Sequence, residues 1–259
     1  MKKYKEKKMA TYDYCAGKKR IEEILDNNVD VIKQDRLPKE SEFTFDNAYQ
    51  SWITGLFVDI RESTLLFSRE NKNEVSRLIR AFTSEIIEIL RLNKCGKPDD
   101  NLREIGIRGD CVYAIYTSPQ KDDEYEIADK AFYINTFMKM LNALLKKRNY
   151  PMICVGVGVS TSQDLVVKAG RDGVGINNLV WIGSAVTKAS KFSGLGNKEG
   201  RACLVFSSDS YANFIDRLKK ENPDAESWFT KDYDNELGTF YTANIVRSAF
   251  DKWIDAGMK

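Results

Sequence analysis

Three stretches of the chain carry apolar residues at the spacing of one helix face. Ile21, Ile24 and Leu25 predict a short helix over residues 17–27. Val75, Ile79, Phe82, Ile86 and Ile89 predict another from about Asn73 to Leu92, and Ile127, Ala131, Ile134, Met138, Leu141 and Leu145 a long one from about Glu124 to Lys147. Between them lie short runs of strand character. "WITGLFVDI", residues 52–60, is β-branched and aromatic. Residues 103–108 and 111–116 flank Gly109-Asp110, a dipeptide suited to a tight hairpin turn. "MICVGVGVST" predicts a further strand whose glycines at 156 and 158 permit close approach by a neighbouring element, and "LVVKAG" predicts a separate strand after it. "LVWIG" is another strand, followed by a helix from Ser184 to Phe192 closed by Gly194. Strands at 202–206 and 238–245, a helix at 208–218 and a polar insert complete the pattern.

The resulting order is β-α-β-β-α-β with strand and helix pairs appended. This is an α+β chain with a ferredoxin-like core. Residues 1–49 read as an amino-terminal helical appendage and linker, and residues 50–259 as one domain of catalytic size. Fold alone gives no function.

Two positions break the apolar pattern. The strand of residues 52–60 runs apolar from Leu56 to Val58 and then reaches Asp59, and a second acid, Asp110, sits in the hairpin turn. A buried carboxylate needs a cation or hydrogen-bond donors. Asp59 either caps the helix that starts near Arg61 or holds a cation.

Composition narrows the chemistry. The chain has no histidine, which excludes Ser-His-Asp and Cys-His hydrolysis and the usual catalytic zinc sites. Carboxylates, Lys, Arg, Tyr, hydroxyls, thiols or a hard metal ion remain. Forty basic against 38 acidic residues leave a net charge of +2, so nucleic acid is not an expected partner. The basic "MKKYKEKKMATY" is followed by no apolar signal region and no apolar run is long enough to span a membrane, so a cytoplasmic protein is expected. Five scattered cysteines without a C-x-x-C pair fit reduced thiols.

Three co-ordered segments, "LFVDIREST", "IRGDCVYAIY" and "LVWIGSAVTKASKF", resemble the class III nucleotidyl cyclase catalytic domain over about residues 50–245. "VKAGRDGVGINNLVWIG" with "ASK" is similar to the bacterial pyrimidine cyclases of Pycsar antiphage systems. The resemblance implies that Asp59 and Asp110, with the carbonyl of Ile60, hold two Mn²⁺ or Mg²⁺ ions, a hard-oxygen set suited to them. It also implies that the amides of Arg61, Glu62, Ser63 and Thr64 hold phosphate oxygens. Thr187 and Lys191 stand where the family carries transition-state Asn and Arg, while Gly106 and Val180 stand where purine-reading members carry Lys and Asp. The space left at those two positions admits a pyrimidine, with Arg108 donating to a base carbonyl and Tyr49 stacking on the ring; the alternatives are a surface-strand charge for Arg108 and core packing for Tyr49, and Lys168 is either a substitute basic group or an ordinary solvated charge.

These implications give the expected function: cyclisation of UTP to 3′,5′-cyclic UMP and pyrophosphate, by a head-to-tail homodimer with composite sites. A separate effector protein would read the product, in antiphage defence. Cyclic CMP, purine cyclisation and a degenerate nucleotide-binding regulatory domain stay open as alternatives.

Overall fold

Along the chain run α1 (Tyr14–Leu25), β1 (Asp30–Lys33), β2 (Asn47–Ile60), α2 (Ser63–Arg69), α3 (Lys72–Arg91), β3 (Leu102–Arg108), β4 (Cys111–Thr117) and α4 (Lys121–Lys146). Then follow β5 (Val155–Arg171), β6 (Ile176–Ile182), α5 (Ser184–Leu195), β7 (Leu204–Ser207), α6 (Ser208–Glu221), β8 (Phe229–Asp234), β9 (Gly238–Ala243) and α7 (Ser248–Asp255). This computed structural model describes residues 12–259 apart from positions 70, 172 and 174 and the side chains of 67 and 69. The basic stretch over residues 1–11 lies outside the described residues, as does part of the loop after Arg171.

The sheet runs β3-β4-β2-β5-β7-β9-β8, with β1 added to β2 and β6 to β5. β4 and β5 flank β2, both antiparallel to it, and the helices α3 and α4 provide the two crossovers. This is the split βαβ arrangement of a ferredoxin-like core, as the order of elements implies.

Alternation along the strands divides the core in two. Leu56, Val58 and Ile60 of β2 point with Val155, Val157 and Val159 of β5 toward Phe82 of α3, Phe137 of α4 and Phe214 of α6. Ile53 and Phe57 point the other way, toward Ala185 and Ala189 of α5. Helix α5 can lie this close because β5 offers bare backbone beneath it: a Cβ on Gly158 would stand 2.1 Å from the Ala189 carbonyl oxygen, and one on Gly156 2.1 Å from that of Ser193. The close approach expected of these two glycines is thus made by α5.

Several elements differ from the sequence expectation. "MICVGVGVST" and "LVVKAG" form one strand, β5, because Ser162, Gln163 and Asp164 continue the ladder opposite Ile53, Trp52 and Ser51. A polar triplet reads as a break, yet partners on β2 satisfy its backbone. β2 likewise begins at Asn47 and takes β1 along its edge in parallel register. Leu37 and Phe43, before β2, are buried on the α5 side of the sheet. The polar insert after α6 contains β8, and α7 follows β9.

Lys130 of α4 is a buried cation in the larger cluster. It is paired with Asp99 at 2.9 Å and also donates to the carbonyls of Leu90, at 3.0 Å, and Leu92, where α3 ends. A positive group there complements the helix dipole. All five cysteines are free. Among the described residues no helix is long and apolar enough to cross a membrane.

Candidate active site

The alternation that buries Val58 and Ile60 against α4 sends Asp59 to the α5 face at the end of β2. Its cross-strand partner is Cys111, the first residue of β4, so the two-residue turn before Cys111 brings Asp110 beside it. Gly109 supplies the positive φ of 61° that this turn requires. Both carboxylates open on one cavity of about 840 Å³, shared with Ile60, Arg61, Glu62, Ser63 and Thr64. That volume lies within the range of ligand pockets.

Burial raises the Asp59 pKa and the charge of Asp110 adds to the rise, while Arg61 and Lys198 act against it. The recorded partner of the Asp59 carboxylate is the Arg61 guanidinium rather than the amides of α2. A second amino group of Arg61 donates to the Gly194 carbonyl in the last turn of α5 at 2.8 Å, and Arg61 Nε is buried without a partner. Burial, followed by the Asp59 charge, pushes the Cys111 thiol beside the two acids up to about 12, which favours its neutral form.

The turn from β2 into α2 places Glu62 at φ 55°. Its carbonyl accepts the amides of Leu65 at 2.9 Å and Leu66 at 3.0 Å, leaving Ser63 and Thr64 in a first turn without intrahelical acceptors. The Arg61 amide differs from the others expected to act with it, because it donates to the Cys154 carbonyl at 2.8 Å.

The donor set fits a hard divalent ion. Two carboxylates and a strand-end carbonyl are all oxygen, and among the described residues no group of three or more His, Cys, Asp or Glu forms a closed cage. Magnesium-type ions favour such partial protein ligation, completing their shell with water and phosphate.

The remaining expected residues lie elsewhere in the chain. Thr187 and Lys191 share the exposed side of α5; the Thr187 hydroxyl donates to the Gly183 carbonyl at 2.9 Å, and Lys191 pairs with Glu236. Arg108 is exposed at the end of β3, opposite Cys111. Tyr49 stands ten residues before Asp59 on β2, buried edge-on against Phe43 at 4.8 Å, and Lys168 of β5 lies over the Phe45 ring at 5.8 Å. A single chain therefore unites the two acids with the α2 turn and leaves the α5 residues, Arg108, Tyr49 and Lys168 outside that cavity.

Three features were not read from the sequence. Lys198 and Asn197, in the loop after α5, line the cavity; the "GLGNKEG" stretch was the available signal. Asp164 is fully buried on β5 and accepts the Ala185 amide at 3.3 Å, anchoring the start of α5. Glu104 accepts Tyr113 Oη and Trp181 Nε1, each at 2.6 Å, beside Gly106, where a Cβ would stand 2.6 Å from the Tyr113 hydroxyl.

No protein-family model matches the chain. It is 51% identical over 247 residues to a uridylate cyclase of Treponema porcinum, covering 95% of this chain and 82% of the relative. It is 30% identical over 255 residues to a uridylate cyclase of Gulbenkiania mobilis, covering 95% and 96%. The fold matches the adenylyl cyclase CyaB from P. aeruginosa with a TM-score of 0.59 at 18% identity, over 77% of this chain and 97% of that one. With this similarity along nearly its whole length, the chain belongs to the uridylate cyclases, nucleotidyl cyclases of the class III fold.

Proposed function

We propose that the protein converts UTP to 3′,5′-cyclic UMP and pyrophosphate. The observation that carries this reading is the opening of Asp59 and Asp110, remote in sequence, on one cavity that also receives the first turn of α2. Asp59, Asp110 and the Ile60 carbonyl would hold Mn²⁺ or Mg²⁺. Divalent ions bound there supply activation of the ribose 3′-hydroxyl and neutralise the triphosphate. The amides of Glu62, Ser63 and Thr64 orient phosphate oxygens, and Lys198 adds a positive charge at the same cavity.

Thr187 and Lys191 lie outside that cavity, which supports a composite site in a head-to-tail homodimer. There Thr187 of one protomer orients the ribose or a phosphate oxygen bound by its partner, and Lys191 offsets charge at the α-phosphate. Arg108 donates to a base carbonyl of the same composite site, whereas Tyr49, buried edge-on against Phe43, holds a core position. The crowding of Gly106 by Tyr113 supports a pyrimidine, because a purine-reading lysine at that position would displace the hydroxyl held by Glu104. The product would act as a second messenger for a separate effector, in the cytoplasm, in antiphage defence.

A second reading, nucleotide binding without turnover, is favoured by the engagement of the Thr187 hydroxyl with its own helix and of Lys191 with Glu236. Incubation of the purified protein with Mn²⁺ and each of the four ribonucleoside triphosphates, followed by chromatography, separates these readings. Cyclic UMP as the main product supports the first. Binding of UTP without any cyclic product supports the second and overturns the first.

A further inference from the structure

Glu124, in the first turn of α4, is buried on the sheet face opposite the carboxylates of the cavity. Around it stand hydroxyls from several elements: Thr54 of β2, Ser118 before α4, Thr161 of β5 and Ser210 of α6. Thr54 Oγ1 bonds Glu124 Oε1, Ser118 Oγ at 2.6 Å and Thr161 Oγ1 at 2.7 Å. Thr161 Oγ1 in turn bonds Glu124 Oε2 at 2.6 Å and Ser210 Oγ at 2.9 Å. Thr54 and Thr161 are themselves cross-strand partners, so the ring spans the β2–β5 pair and ties two helix starts to it.

A proton balance decides the state of the acid. Five oxygen–oxygen hydrogen bonds join these groups, and each needs one proton; the hydroxyls of Thr54, Ser118, Thr161 and Ser210 bring four. The fifth comes from the carboxyl. With Glu124 protonated the ring closes: Glu124 donates to Thr54, Thr54 to Thr161 and Thr161 back to Glu124, while Ser118 and Ser210 donate inward. With Glu124 ionised, Thr54 and Thr161 both donate to the carboxylate, and their own contact at 2.7 Å has no proton left.

We propose that Glu124 is a neutral, proton-donating acid in the folded protein, and that this proton locks α4 and α6 to the β2–β5 strand pair as a pH-sensitive device.

The surroundings offer the anion little. Ser207 of β7, which accepts the Ser210 amide at 3.2 Å, is again a hydroxyl. The other charged groups in the two first turns are Lys121, Asp122 and Asp123 on α4 and Asp209 on α6. Asp122 is paired with Arg217 at 2.6 Å, and Asp123 accepts Asn101 Nδ2 at 2.7 Å. Strand alternation puts Asp59 and Asp164 on the opposite face. The helix starts favour an anion, as do the hydroxyls that donate to it, but complete burial outweighs both. Glu124 is raised to about 7 by burial, partly opposed by the hydroxyls of Thr161, Thr54 and Ser118, with Asp123 adding to the rise.

The folded state holds this proton more tightly than the unfolded chain. Its stabilisation is therefore full below the ordinary glutamate value of 4.5, declines as pH rises, and is gone above about 7. Glu124→Gln supplies a permanent donor and acceptor in the same shape and should lack the effect. Urea unfolding of the full chain across this range tests it. Relative to the Gln variant, the unfolding constant of the native protein should rise by up to about tenfold per pH unit between those limits. Parallel curves for the two proteins overturn the proposal. If the variant does not fold, the side-chain carboxyl carbon of Glu124 in native protein labelled with ¹³C, assigned through its own bonds by NMR, decides: titration near 7 supports the inference and titration near 4.5 overturns it.

Discussion

The Arg61 guanidinium lies on the Asp59 carboxylate and reaches the Gly194 carbonyl at 2.8 Å, joining the end of β2 to the end of α5. Any ion bound by Asp59 meets this internal cation first. Arg61→Gln should therefore bind Mn²⁺ severalfold more tightly in the absence of nucleotide, read by titration calorimetry. Equal affinities would show that the pair exerts no such competition.

Asp59 and Asp110 are expected to fail separately. Asp59→Asn and Asp110→Asn keep the volume of each side chain but remove its charge, and each should lower cyclic nucleotide formation by about 10²–10³-fold, the usual cost of a removed electrostatic group at a reacting centre. Chromatographic product assays at matched protein and Mn²⁺ concentrations provide the check. Full activity in either variant would exclude that acid as a ligand.

The separation of Lys191 from the acid-lined cavity makes complementation possible. Lys191→Ala and Asp59→Asn should each be inactive alone, yet an equal mixture, allowed to exchange subunits, should recover about one quarter of the native sites, because half the dimers are mixed and one of their two sites is intact. Failure to recover activity while exchange is shown by mass spectrometry would argue for a site within one chain.

Gly158 lies under α5 with no room for a methyl group, since the clashing atoms are the Ala189 carbonyl and the Ser193 amide, both backbone. Gly158→Ala should destabilise by about 1–3 kcal/mol through overpacking and shift α5. Urea denaturation measures the loss, and activity should fall with it because α5 carries Thr187 and Lys191.

Lys130 and Asp99 are 7% and 8% exposed, so their pair is shielded from solvent. Asp99→Ala leaves the ammonium buried with two carbonyls and the face of the Tyr116 ring, 5.1 Å from its centroid, and should cost about 3–5 kcal/mol. Thermal unfolding reads it, and a loss under 1 kcal/mol would show that the Leu90 and Leu92 carbonyls suffice.

Much of this protein was legible in the chain itself. Helical spacing gave α3 and α4 almost to their ends, Gly109-Asp110 gave the hairpin, and the order of elements gave the core, because repeat spacing and turn chemistry are local properties. Asp59 and Asp110 stood out for the same reason, as charged residues where an apolar run stops. Long-range pairing was not local. Ser162, Gln163 and Asp164 read as a break until β2 supplied their partners, and the four exposed residues of β1 become a strand only by their seat on that same strand. Only the tertiary structure could turn Arg61 onto Asp59, bring Lys198 to their cavity, and surround Glu124 with hydroxyls from β2, β5 and α6. Distance and burial fix charge state and partner, and both exist only once the strands have met.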